Sequence, residues 1–130
     1  MTEQQQTAET EVRALIEAWA DAVRRHDYPG VLARHDPNIL MFDVPPPFQS
    51  RGLEEYRKTW DLFFRNHKPS HAFDIDEIAI TAGDNVAFAV AAMRCGPPEA
   101  TFQFRLTIGL RRIDGAWRIT HEHHSVPASE

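Results

Sequence analysis

A long run of alternating apolar and polar residues fills the second half of this chain and limits its fold more than any other feature. From Ser70 to Val126 the hydrophobicity repeats every two residues, which is the period of β-strands. Turn-forming residues divide the run into four strands, with breaks at Gly83-Asp84-Asn85, Gly96-Pro97-Pro98 and Asp114-Gly115. Short connections between successive strands predict an antiparallel meander.

The residues inside these strands predict where the sheet bends and how its last two strands pair. The apolar positions of the first strand change parity near Asp76-Glu77, which predicts a β-bulge. Asp114-Gly115 is typical of a two-residue type I′ hairpin, in which Ile113 faces Ala116. Without a bulge, the pairs that follow on one face are Leu110 with Ile119, Ile108 with His121, and Leu106 with His123. Two histidines are therefore expected in an apolar row.

Helical periodicity near the start of the chain predicts two helices. Apolar residues at the spacing of one helical face predict a first helix of about four turns, capped by Thr7 or Thr10. These residues are Val12, Leu15, Ile16, Trp19, Ala20 and Val23. Residues 1–8 are then expected to form a frayed tail. Pro29 can open a short second helix that ends before Pro37.

A further strand and a third helix complete the predicted elements. The strand covers residues 39–44, ends at a run of prolines, and places Asp43 on the face that carries Ile39 and Met41. The third helix runs from about residue 52 to residue 66 and has a broad aromatic face. Together the elements predict one α+β domain spanning all 130 residues, with three helices over the concave face of a curved antiparallel or mixed sheet. Such an arrangement encloses a pocket.

Charge and composition exclude several classes of function. The formal net charge of -5 offers no excess of Lys and Arg for nucleic acid or an anionic membrane. The polar N-terminus lacks the apolar segment of a signal peptide, and no stretch approaches the ~18 apolar residues of a membrane span. Cys95 is the only cysteine, so no intramolecular disulfide can form. We therefore expect a cytoplasmic protein that binds neither nucleic acid nor membranes.

Two local motifs resemble a known superfamily. In the first, Asp43 ends a strand and is followed by a proline loop and by Gly52 at the start of a helix. Ketosteroid isomerases place their proton-shuttling base at that spacing. The second motif, residues 114–127, is similar to the closing Gly-x-Trp-x-Ile-x-His-x-His-x-Ser-x-Pro strand of SnoaL-like proteins, and its Trp and His-x-His part also resembles the association domain of calcium/calmodulin-dependent kinase. The chain thus resembles the nuclear-transport-factor-2-like superfamily, whose fold is a cone-shaped sheet under helices.

The resemblance and the pattern together name three candidate catalytic residues. Asp43, at the end of an apolar strand, would be a partly desolvated general base, although a solvated turn aspartate is the alternative. His121 and His123 would share a face and polarise a carbonyl or return the proton, unless they only orient a core network. His124 is expected on the opposite face with Glu122, at the surface or at a dimer interface.

The expected wall of the pocket is aromatic and apolar. The residues predicted to bind the substrate are Trp19, Tyr56, Trp60, Phe64, Met93, Leu106 and Ile108. At these spacings each is a core residue by default, and some are expected to face the cavity. Ketosteroid isomerases carry a tyrosine donor where this chain has Trp19, and the region of their second aspartate offers Gln103 and Arg105 instead. Steroid isomerisation itself is therefore not expected.

Two functions remain open at this point. The first is a cofactor-independent isomerase, cyclase or dehydratase that moves a proton next to a carbonyl of a small apolar molecule. The second is a non-catalytic module of the same fold that binds a ligand or dimerises. We expect no metal and no other cofactor, although a His-x-His pair with an aspartate can bind zinc or iron. Convergence of Asp43, His121 and His123 on one cavity would favour the enzyme.

We expect the protein to be a homodimer, as the resemblance implies. The outer face of the predicted sheet carries Arg111, Arg118 and Glu122 between apolar positions, and this face would form the interface. Sedimentation at micromolar concentration is expected to give twice the chain mass of 14.9 kDa. A clean monomer would contradict the expectation.

Overall fold

Six strands form one curved, unclosed mixed sheet with three helices, in a computed structural model that describes residues 2–128. In chain order the elements are α1 (Glu3–Arg24), α2 (Tyr28–Leu32), β1 (His35–Phe42), β2 (Ser50–Arg51), α3 (Leu53–Phe64), β3 (Ala72–Ala82), β4 (Val86–Gly96), β5 (Phe102–Ile113) and β6 (Ala116–Ser125). The strand order is β2-β1-β6-β5-β4-β3, in which β1 and β6 are parallel and the other neighbours antiparallel. The predicted α+β class is confirmed.

The first helix begins earlier than the sequence pattern indicated. Thr2 and Gln5 form a capping box, in which each side chain accepts a hydrogen bond from the backbone N–H of the other residue. This cap satisfies N–H groups of the first turn, so the helix starts at Glu3. The expected frayed tail is therefore helical from Glu3 onward, while Met1 lies outside the described residues.

Alternation along the strands places an apolar face against the helices. On β5 the inward side chains are Phe104, Leu106, Ile108 and Leu110, all of them buried. The helices cover this face with large aromatic side chains, among them Trp19 of α1 and Tyr56 of α3. The core thus lies between the sheet and the helices α1 and α3. None of the helices in residues 2–128 combines the length and the apolar character that crossing a membrane requires.

Two of the predicted backbone features of the meander are confirmed. Asp114 and Gly115 have φ angles of 51° and 80°, as a type I′ turn requires, and Ile113 pairs with Ala116. The register of β3 shifts between Ile75 and Glu77, where the parity change predicted a bulge. Local sequence signals therefore located both features.

The predicted register of the last hairpin is wrong beyond Ile119, because β6 contains a bulge. Leu110 pairs with Ile119 as expected, but Gly109 pairs with His121, which leaves Thr120 as an extra residue. One extra residue moves every following side chain to the other face. The observed pairs are Ile108 with Glu122, Thr107 with His123, and Leu106 with His124. Glu122 and His124, expected at the surface, are instead buried on the concave face.

The type I′ turn generates a stability prediction. Gly115→Ala is expected to lower the free energy of unfolding by about 1 kcal/mol, because alanine is strained at positive φ. No atom lies within 4 Å of the added Cβ, so backbone strain alone is tested. The control is Gly83→Ala in the turn between β3 and β4, where φ is not positive and the added Cβ would lie 3.5 Å from the Val86 carbonyl oxygen. Measured by urea unfolding, the free energy of unfolding of this control should equal that of the wild type or lie slightly above it.

Candidate functional site

A large apolar cavity lies between α3 and the strands β3, β4 and β5. Its volume is about 710 Å³, which suits a small organic molecule. Five aromatic side chains form much of its wall: Trp60, Phe63, Phe73, Phe102 and Phe104. Polar side chains also line it, and these are Asp43, Thr59, Asn66, His67, His71 and His124.

Asp43 is one of the residues that line the cavity. It follows β1, and its side chain is half-buried next to the exposed Val44 and Pro45, which also line the cavity. Its Oδ1 accepts a hydrogen bond of 2.8 Å from the Val44 backbone N–H. The position therefore gives a carboxylate access to both the cavity and solvent.

The two histidines predicted to act with Asp43 lie on the other face of the sheet. His121 and His123 flank Phe42 with ring centroids 5.0 Å and 5.3 Å from its ring, and neither lines the cavity. Nδ1 of His121 lies 2.7 Å from the Leu40 carbonyl oxygen, to which it donates a hydrogen bond. The three predicted catalytic residues therefore do not converge. Nor do any three His, Cys, Asp or Glu side chains within residues 2–128 form a group suited to a metal ion.

The bulge in β6 brings a glutamate into the core instead. Glu122 is fully buried, and its Oε2 accepts a 2.7 Å hydrogen bond from the Tyr56 hydroxyl. His35 places Nε2 at 2.7 Å from the same oxygen, and His124 places Nε2 at 3.0 Å from Oε1. The Trp19 indole N–H donates in turn to the Tyr56 hydroxyl at 3.0 Å. Three elements, β1, α3 and β6, thus meet at one carboxylate, and α1 joins them through Tyr56.

The environment changes the acidity of two members of this network. Burial by itself would raise the pKa of Glu122, but hydrogen bonds from His124 and His35 and the attraction of imidazolium charge outweigh it and lower the pKa to about 2. Burial and the nearby Glu122 carboxylate raise the pKa of Tyr56 well above its ordinary value. Glu122 is therefore an anion at neutral pH, and Tyr56 remains a hydrogen-bond donor.

His124 connects this network to the cavity. Its ring stacks on Phe104 with an interplanar angle of 7°, lines the cavity and is 8% exposed. Because Nε2 faces Glu122, Nδ1 is the ring nitrogen without a protein partner. Within residues 2–128, the fully buried side-chain polar atoms that lack a partner are the indole nitrogens of Trp60 and Trp117. Nδ1 of His124 is not among them, so this nitrogen is not both fully buried and unpaired.

The structure separates the predicted substrate-binding residues into four groups. Trp60 lines the cavity, whereas Trp19 and Tyr56 form the hydrogen-bonded layer behind it. Phe64 stacks on His26 with centroids 4.1 Å apart and does not line the cavity. The remaining three, Met93, Leu106 and Ile108, are buried in the core.

Sequence reasoning missed Glu122, His124 and His35. The available signal was a glutamate inside the histidine-rich closing strand, since a charged residue there needs either solvent or several partners. No local pattern around Thr120 marked the bulge that turns Glu122 inward.

The buried carboxylate generates a prediction about stability and pH. Glu122→Gln is expected to lower the free energy of unfolding at neutral pH by about 3–5 kcal/mol, because it removes the charge that the surrounding donors compensate. The folded-state pKa of Glu122 lies below its ordinary value of 4.5, so the ionised group stabilises the fold above about pH 4.5. This contribution is lost as the pH falls toward 2.

Urea unfolding at a series of pH values measures the difference in free energy of unfolding between wild type and Glu122→Gln. This difference should be largest at neutral pH and shrink between about pH 4.5 and pH 2. The matched control is Glu77→Gln, a change at an exposed glutamate of β3. If wild type were more stable than Glu122→Gln by the same amount at every pH, Glu122 would not be the ionised group that stabilises the fold.

Comparison with known proteins places the chain in a family. The SnoaL-like domain family matches residues 12–129. An NTF2-like protein of unknown function from Pseudomonas putida KT2440 is 33% identical and superimposes with a TM-score of 0.89, over 95% of this chain and 89% of that chain. No curated protein matches the sequence.

More distant structures share the fold. A ketosteroid isomerase-like protein from Erwinia carotovora atroseptica SCRI1043 is 17% identical and has a TM-score of 0.74, over 99% of this chain and 100% of that chain. A protein of unknown function with a cystatin-like fold from Nostoc punctiforme PCC 73102 is 14% identical and has a TM-score of 0.79, over 93% of this chain and 92% of that chain. The resemblance expected from the sequence motifs is thus confirmed, and this chain belongs to the SnoaL-like family of the nuclear-transport-factor-2-like superfamily.

Proposed function

We propose that this protein is a cofactor-independent enzyme that moves a proton next to a carbonyl group of a small apolar substrate. The observation that carries the proposal is His124, an imidazole whose ring lines an apolar cavity while its Nε2 contacts a buried carboxylate. Isomerisation, cyclisation and dehydration all belong to this class of reaction, because each removes a proton at one position and returns it at another.

The contact with Glu122 makes His124 suited to act as the base. A carboxylate accepts hydrogen bonds, so the proton of a neutral His124 lies on Nε2, 3.0 Å from Oε1 of Glu122. The lone pair then lies on Nδ1 of a ring that lines the cavity. Carboxylates orient catalytic histidines in the same way in hydrolase triads, where they fix the tautomer and stabilise the imidazolium that forms.

Asp43 supplies a carboxylate in the same cavity, which His67 and His71 also line. Its half-buried position next to Val44 and Pro45 gives the carboxylate contact with solvent, so it can exchange protons with water. We propose that Asp43 and His124 divide the removal and return of the proton between them. His121 and His123 have no part in this chemistry, because they lie on the other face of the sheet.

We also propose that the protein is a homodimer that pairs through the convex face of the sheet. Three side chains of β4 are exposed there, with Val86 at 61%, Phe88 at 48% and Val90 at 45%. A run of exposed apolar residues on an open sheet face favours burial against another surface. Glu122, which was expected at this interface, cannot contribute because it is buried on the concave side.

Hydrogen–deuterium exchange of an apolar ketone tests the proposed chemistry. The probe is 2-tetralone in D2O, and proton NMR follows the loss of the signals next to its carbonyl. Wild type is expected to accelerate the exchange, and His124→Gln to slow it by about 100-fold or more, as removal of a general base does. Asp43→Asn should also lower the rate while leaving the fold nearly intact.

The matched control is His123→Gln, the same substitution one residue away on the exposed face. It is expected to retain the wild-type rate, and an equal loss in both variants would contradict the role of His124. Fluorescence of the cavity-lining Trp60 reports binding of the probe separately. A ketone that binds without exchange in wild type would favour the non-catalytic ligand-binding module.

A further inference from the structure

We infer that His35 is a positioning residue that carries a positive charge, and that it keeps His124 neutral by compensating the charge of Glu122. The inference rests on the proposed role of His124 and identifies the group that sets its protonation state. His35 lies at the start of β1 and does not line the cavity, so it acts through Glu122 rather than on the substrate.

The contact of His35 with the Ala33 backbone places a proton on Nδ1 of its ring. Nδ1 lies 3.0 Å from the backbone carbonyl oxygen of Ala33. A carbonyl oxygen has no proton to give, so Nδ1 must be the donor. The Nδ1 proton of His35 therefore follows from the Ala33 carbonyl alone and does not depend on the protonation of Glu122.

A second proton lies between His35 and Glu122. Nε2 and Oε2 are 2.7 Å apart, so one of these two atoms carries it. Tyr56 donates to the same carboxylate oxygen, and its hydroxyl is committed to that direction because it accepts from Trp19. His124 donates to the other oxygen. These two donors favour the carboxylate form of Glu122, so the proton belongs to His35.

Burial makes this charge assignment matter. The side chains of His35 and Glu122 are both completely buried, and an uncompensated charge there would cost several kcal/mol. Among residues 2–128 the ion-pair partners of Glu122 are His35 from β1 and His124 from β6, and its other contact, Tyr56 from α3, is neutral. One imidazolium neutralises the carboxylate, whereas two would leave a net positive charge in the core.

The charge on His35 therefore decides what His124 can do. With Glu122 already compensated, His124 remains neutral, keeps its proton on Nε2 and presents the Nδ1 lone pair to the cavity. Were His35 neutral, the negative charge of Glu122 would draw a second proton onto His124. A doubly protonated His124 has no lone pair and cannot act as a base.

Nitrogen NMR of histidine-labelled protein tests the charge directly. Long-range proton–nitrogen correlation at neutral pH distinguishes a doubly protonated ring from a neutral one. In the wild type, His35 is identified by nuclear Overhauser contacts with the Tyr56 ring, whose centroid is 4.6 Å from that of the imidazole. We expect two protonated nitrogens in His35 and one, Nε2, in His124. A singly protonated His35 overturns the inference, and because wild type suffices, the result does not depend on whether the variant folds.

The pH dependence of 2-tetralone exchange separates positioning from simple structural support. In His35→Gln the side-chain amide can still donate to Glu122 but carries no charge. The acidic limb of the rate profile is expected to move to higher pH by about one unit or more, because His124 then holds its second proton more tightly. A rate that falls equally at every pH would show a merely structural role and contradict the inference. Absence of exchange in wild type would instead refute the proposed function, and the nitrogen spectrum would still decide the charge of His35.

Discussion

The buried carboxylate of Glu122 is the interaction on which the rest of this structure depends. An ionised carboxylate in an apolar core is strongly unfavourable unless hydrogen bonds and opposite charge compensate it. Here the donors come from separate parts of the chain, His35 on β1, Tyr56 on α3 and His124 on β6. The carboxylate therefore holds the two parallel strands and the third helix in a defined arrangement, since displacement of any one of them would leave a buried polar group unpaired.

In the proposed mechanism, stability and reactivity are coupled through this network. The hydrogen bond that compensates Glu122 also fixes the orientation of His124, whose ring lines the cavity. The wall around that ring is mostly aromatic, as shown by the stacking of the His124 ring on Phe104. A nitrogen base in such surroundings has few competing partners apart from a bound molecule. The polar layer behind the wall thus supplies both rigidity and the candidate chemistry.

A single bulged residue decides which side chains reach the cavity. Because Thr120 is an extra residue in β6, Glu122 and His124 turn inward, and His121 and His123 turn outward. Without it the two histidines of the closing motif would lie in the core and the glutamate would be exposed. The hydrogen bonds that Glu122 gains from distant elements provide a physical reason for the bulged arrangement.

Sequence patterns were sufficient to predict the α+β class, the order of the elements apart from the short strand β2, the type I′ turn at Asp114-Gly115, the bulge in β3 and the family. Each follows from residues that are close together in the chain, because periodicity, turn chemistry and short motifs are local signals. Only the tertiary structure decided which face of β6 is buried. Polar side chains occupy both faces from His121 to His124, so alternation there cannot distinguish them. The choice depends on hydrogen-bond partners at His35 and Tyr56, which are far away in sequence and meet Glu122 only when the sheet and the third helix have assembled.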